Sequence, residues 1–117
     1  MRELYTAIDA REVEGILAHF ADGFRYRSGN AEPIVGRAAF LTRSAAHSAL
    51  ITGMSHYFRQ VWERGDSAVV VADVDYTCAN GAVVRVPAAT VIHRRSDGLI
   101  DDIHIITDIS AVRNESS

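Results

Sequence analysis

The dipeptide Asn80-Gly81 sits between two strand-like runs, residues 67–79 and 82–94, and constrains the chain more than any other feature. Asn-Gly in that setting is the strongest short-range hairpin signal, because a two-residue type I′ turn needs positive φ at both central positions. A two-residue loop fixes the pairing: Thr77 faces Val84, Asp75 faces Val86, Asp73 faces Ala88 and Val71 faces Thr90. Side chains alternate with period two, so paired residues share a face. One face then carries Val69, Val71, Asp73, Asp75 and Thr77 with Val84, Val86, Ala88 and Thr90. The other carries Val70, Ala72, Val74, Tyr76 and Cys78.

The flanking segments supply helices first and strands after. Leu4, Ile8, Val13, Ile16, Leu17 and Phe20 recur at helical spacing, and Asp9-Ala10-Arg11 interrupts them. Two helices are expected, residues 2–8 and 11–20, with Asp9 as a cap for the second through Glu12. Residues 24–28 alternate as a strand with Phe24, Tyr26 and Ser28 on one face, and residues 29–35 form a loop. A third helix covers residues 37–50, with Ala39, Phe40, Arg43, Ala46, His47 and Leu50 along one side. Residues 54–64 and 99–109 read as strands, and residues 112–117 as a polar tail that frays.

At 117 residues, with no linker or internal repeat, the chain is expected to be one domain, residues 1–117. No apolar run approaches the roughly 18 residues needed to span a membrane, and the start lacks a signal-peptide core. Cys78 is the single cysteine, which excludes an internal disulfide. The expected setting is cytoplasmic. The net charge of −3, with acids and bases interspersed, gives no nucleic-acid footprint. No metal-ligand spacing, phosphate loop or serine elbow is present, so cofactor-free chemistry without a metal is expected.

Helices followed by antiparallel strands make an α+β pattern, a curved sheet wrapped on helices with a pocket at its open end. Several stretches in this order resemble the nuclear transport factor two-like superfamily. They are Ile8-Asp9-Ala10-Arg11-Glu12-Val13-Glu14-Gly15-Ile16, Phe20-Ala21-Asp22-Gly23-Phe24 and Pro33-Ile34-Val35-Gly36-Arg37, then Gly65-Asp66-Ser67-Ala68-Val69-Val70 and Asp97-Gly98-Leu99-Ile100. The superfamily includes ketosteroid isomerase, SnoaL-type polyketide cyclases, scytalone dehydratase and limonene epoxide hydrolase. The resemblance implies a cone-shaped α+β barrel of the cystatin-like, SnoaL-like kind. It also implies dimerisation through the outer sheet face and a pocket inside the cone. The ketosteroid isomerase groups are not kept: its base position falls at Ser28 or Arg27, its oxyanion tyrosine at Leu4 and its protonated aspartate at Thr90.

If Gly65-Asp66 is also a two-residue turn, Trp62 faces Val69, Phe58 faces Asp73 and His56 faces Asp75. His56, Asp75 and Asp73 are then the candidate catalytic residues, with the carboxylate orienting an imidazole that acts as acid or base. The resemblance adds that scytalone dehydratase and related dehydratases use a pocket histidine in a comparable strand. Tyr26, Ser28, Phe58 and Thr90 are candidate substrate-binding residues, and His47 is a weaker candidate. The opposite facing of the hairpin would put Val70, Val74 and Tyr76 in the core and both aspartates in solvent. The expected function is a cofactor-independent dehydratase, isomerase or cyclase acting on a small, apolar, oxygenated molecule. The alternative is a non-catalytic ligand-binding or dimeric scaffold module. The apolar outer face expected for the sheet, Val70, Val74, Tyr76, Val91 and Ile106, points to a homodimer.

Overall fold

The computed structural model describes residues 1–115. Four helices, α1 (Arg2–Asp9), α2 (Val13–Leu17), α3 (Gly36–Ser48) and α4 (Ser110–Glu115), surround a six-stranded sheet. The strands are β1 (Phe20–Ser28), β2 (Ile34–Val35), β3 (Ile51–Arg64), β4 (Ser67–Cys78), β5 (Val83–Arg94) and β6 (Ile100–Thr107), in the order β2-β1-β6-β5-β4-β3. Every neighbouring pair is antiparallel except β1 with β6. The sheet curves around the helices as the α+β cone that the sequence leads one to expect.

Two one-residue irregularities set which side chains face the helices. At the β4–β5 turn only Gly81 takes a positive φ, +90°, whereas Asn80 does not. The Gly81 amide donates to the Cys78 carbonyl at 2.9 Å and the Cys78 amide to the Ala82 carbonyl at 2.8 Å. This is a type I turn with Gly81 as a left-handed bulge residue, the usual three-residue hairpin loop. Asn80 gives its side chain instead: Oδ1 accepts from the Ala82 amide, and Nδ2 donates to the Glu115 carbonyl, which ties α4 to the turn. The extra loop residue shifts the register by one, so Asp75 faces Arg85, Asp73 faces Pro87 and Val71 faces Ala89. The expected pairing of Asp75 with Val86 is corrected, and the faces of β4 are exchanged relative to β5.

The second irregularity lies in β3. From Arg64 back to Gln60 the pairing follows the two-residue turn: Arg64 faces Ser67 and Trp62 faces Val69. Between Gln60 and Phe58 the register slips by one, leaving Arg59 as the extra residue. His56 therefore faces Val74, not Asp75, and Phe58 faces Ala72, not Asp73. Trp62 and His56 lie on opposite faces of one strand.

The inner face is built from Ala68, Val70, Ala72, Val74, Tyr76 and Cys78 of β4 with Val86, Ala88, Thr90 and Ile92 of β5, all buried, so Val70, Val74 and Tyr76 are corrected from the outer face to the core. Leu4, Tyr5, Leu17, Phe20, Phe24 and Phe40 close one core cluster against Val70, Ile92 and Ile103. Ile51, Val74, Tyr76, Val86 and Val112 form a second. Val112 is fully buried, so the segment expected to fray is a docked helix through Glu115; Ser116 and Ser117 lie outside the described residues. Among the described residues no helix is long and apolar enough to cross a membrane.

Candidate active site

Between the two core clusters the cone encloses a cavity of about 190 Å³. An apolar cavity of ~150 Å³ accommodates benzene, so this one takes a ring-sized molecule with substituents. α1 contributes Tyr5 and Ile8; α3 contributes Phe40, Arg43 and His47, spaced by three and four on one helix face. The sheet contributes His56, Val74, Tyr76, Ala88, Thr90 and Ile105.

His56 is anchored by Asp9, the last residue of α1. Its ring Nδ1 lies 2.6 Å from Asp9 Oδ1, and its backbone amide donates to Asp9 Oδ2 at 3.0 Å. A carboxylate facing Nδ1 places the proton of the neutral ring there, which leaves Nε2 as the lone-pair nitrogen. The imidazole side chain is 12% exposed and sits at the cavity wall. The Tyr5 ring meets it edge-on at 4.9 Å between centroids.

Three phenols share the cavity, and burial pushes each upward from its ordinary value. Tyr5 is raised, with an interaction between its hydroxyl and that of Thr90 acting in the opposite direction. Tyr26 is also raised, countered by the nearby Arg43 charge and a bond to Ser28. Tyr76 is pushed up to about 12. All three stay protonated near neutral pH and are hydrogen-bond donors to a ligand oxygen.

His47 carries the opposite shift. Burial holds its imidazole below the ordinary value, and the charges of Arg11 and Arg113 push it the same way. A base whose folded-state proton affinity is depressed favours folding above its unfolded pKa of 6.5 and loses that contribution as pH falls below it. Chemical denaturation is expected to show stability declining from pH 7 to 5, with a flatter profile in His47→Gln. Parallel profiles for the two proteins would remove His47 from this account.

The cavity thus gathers His56, Tyr26, Ser28 and Thr90 from the residues singled out in the sequence. Asp73 and Asp75 are corrected: both lie on the outer face of β4, a consequence of the Gly81 bulge. Arg59 Nε donates to Asp73 at 2.7 Å, and Arg85 grips Asp75 through two nitrogens at 2.7 and 3.0 Å. The bond from Arg85 holds the Asp75 carboxyl below its usual range. Phe58 is corrected in part: it packs edge-on against Tyr5 at 5.0 Å but is half exposed and outside the cavity lining.

Asp9, Tyr5, Tyr76 and the arginines were missed. For Asp9 the signal was present: Tyr5, Ile8 and Asp9 are spaced by three and four and share one face of α1. The expected capping role fails because Glu12 precedes α2 as its cap, without a side-chain bond.

The model of the SnoaL-like domain matches residues 1–103 of the chain. No curated protein matches it. Among solved structures, an NTF2-like protein of unknown function from Burkholderia pseudomallei is 19% identical. The match covers 99% of this chain and 93% of that one, with a TM-score of 0.88. TerC, co-crystallised with polyporic acid, is 22% identical over 97% of this chain and 92% of its own, with a TM-score of 0.84. A putative SnoaL-like polyketide cyclase from Jannaschia is 20% identical over 90% and 78%, with a TM-score of 0.74. At these identities the likeness is one of fold, and the domain match carries the family: the chain belongs to the SnoaL-like family.

Proposed function

We propose that the protein is a small-molecule enzyme working by proton transfer in the cone cavity, as a dehydratase, isomerase or cyclase would. The observation that carries this reading is the Asp9–His56 pair at the wall of an otherwise mostly apolar cavity. His56 Nε2 takes a proton from a ligand carbon or oxygen, and Asp9 holds the ring and stabilises the imidazolium that forms. Tyr5 meets that ring edge-on and stays protonated, so its hydroxyl is placed to donate to an oxygen that gains negative charge. The TerC structure, a relative in fold holding polyporic acid, supports a cyclic oxygenated ligand.

The test uses 5-nitrobenzisoxazole, from which a base removes the ring C–H proton as the N–O bond breaks to give a nitrile and a coloured phenolate. The protein is expected to accelerate this above free imidazole at equal concentration, and His56→Gln to lower the rate by about 10²-fold, the scale of a positioned base. An unchanged rate in His56→Gln would overturn the reading and leave a ligand-binding module.

We further propose that two copies pair through the outer sheet face. There Trp62, Val69 and Val91 form one cross-strand row, and Val71, Ala89 and Ile106 the next. Trp62, Val91 and Ile106 are exposed at 51%, 41% and 50%. A contiguous apolar patch rimmed by the Arg59–Asp73 and Arg85–Asp75 pairs has the anatomy of an interface.

A further inference from the structure

The cavity lining is electrostatically one-sided. Arg11, Arg43 and Arg113 enter it from the α1–α2 junction, α3 and α4, and among the described residues no carboxylate belongs to the lining. This is a chain with net charge −3. Among the described residues none of the three arginines forms an ion pair, whereas Arg25, Arg37, Arg59, Arg85, Arg94 and Arg95 each do. Asp108 feels the Arg113 charge without forming an ion pair with it, and its Oδ1 accepts from the Ser110 amide at 2.9 Å. Arg11 makes a long contact of 3.5 Å to the Ser48 carbonyl, which leaves its charge uncompensated. Arg11 and Arg113 both act on His47, and Arg43 acts on Tyr26, so positive charge converges on the cavity wall, where it favours an anion.

Arg11 supplies a second, independent observation. It is the one described residue other than glycine with a positive φ, +57°. Its amide donates to the Ile8 carbonyl and the Glu12 amide to the Ala7 carbonyl, the paired bonds of a Schellman ending to α1. Glycine is the residue that fits such a position, and a side chain there is strained. Strain kept at a cavity rim points to work done by that side chain.

We propose that the cavity takes an anionic ligand, a ring-sized apolar molecule bearing a carboxylate or similarly ionised oxygen, whose negative end is held by Arg11 and Arg113 beside His47, with Arg43 adding to the field. This deepens the acid/base reading, on which its location rests, by naming the class of molecule bound. The ring lies among Phe40, Val74, Ala88 and Ile105. Bound negative charge also offsets the two arginines at His47, so binding raises its proton affinity and is accompanied by proton uptake there.

The probes are cinnamate and cinnamyl alcohol, matched in shape and differing in charge, measured by titration calorimetry at low salt. Cinnamate is expected to bind at least tenfold more tightly than the alcohol. Arg11→Gly is expected to reduce cinnamate affinity about tenfold, leave the alcohol unchanged and raise the melting temperature by relieving the left-handed strain. Arg113→Gln is expected to lower cinnamate affinity likewise, without that gain. Equal affinities for the two probes, no binding of either, or an undiminished preference in both variants would each overturn the proposal. His56→Gln separates the two readings, since it is expected to keep the cinnamate preference. An intact preference with no proton-transfer activity in the native protein sinks the acid/base role alone. Proton transfer without the preference sinks the anion site alone.

Discussion

An Asp9→Asn variant is expected to keep its fold and lose proton transfer toward 5-nitrobenzisoxazole by about 10²-fold, as much as removing the base itself, because the imidazole is then held in the wrong tautomer. Asp9 accepts two bonds from His56, one from the backbone amide and one at ring Nδ1. An asparagine can keep the first with its carbonyl oxygen, and its NH₂ group then faces Nδ1. Two donors cannot face each other, so the ring moves its proton to Nε2, the nitrogen that would act as the base. Geometry survives and the lone pair is lost. The melting temperature separates this from unfolding, since both side chains are partly exposed and the exchange is isosteric. A variant that is fully active, with its histidine still protonated at Nδ1 by nitrogen NMR, would refute the role given to Asp9.

The second large effect concerns assembly. Trp62→Glu is expected to turn a dimer into a monomer at micromolar concentration in sedimentation equilibrium. A buried interfacial tryptophan contributes about 2 kcal/mol or more, and a two-fold interface contains it twice, which together weakens association by about 10³-fold. Trp62 is on the outer face, half exposed and away from the cavity, so the monomer is expected to retain its fold. If the unsubstituted protein sediments as a monomer at tens of micromolar, the outer face has another purpose.

Much of this architecture was legible in the residues. The order of helices and strands follows from period and turn signals, and the alternation of residues 24–28 puts Tyr26 and Ser28 on one face, which the family resemblance turns toward the cavity. The facing of β4 was not, because Asn-Gly permits both a two-residue and a three-residue loop. A contact distant in sequence, Asn80 with Glu115, goes with the second. The Arg59 bulge was equally hidden, since nothing local to residues 56–62 announces an extra residue. His56 nevertheless reached the inner face, with a partner from α1 rather than from the neighbouring strand. That partner was obscured because Asp9 has an ordinary local use as a helix cap, which competed with its long-range one.

The loop at Gly81 has a consequence for how such a chain can change. Substitutions along β4 alter one side chain at a time, but the length of this loop sets the phase of a whole strand against its neighbour. Removing one residue between Cys78 and Ala82 would turn Asp73 and Asp75 inward and Val74 and Tyr76 outward in one step. Adding two would keep every residue on its side. Length variation here is therefore quantised in pairs, and a single-residue deletion in an exposed turn is a more drastic event than most changes in the buried core.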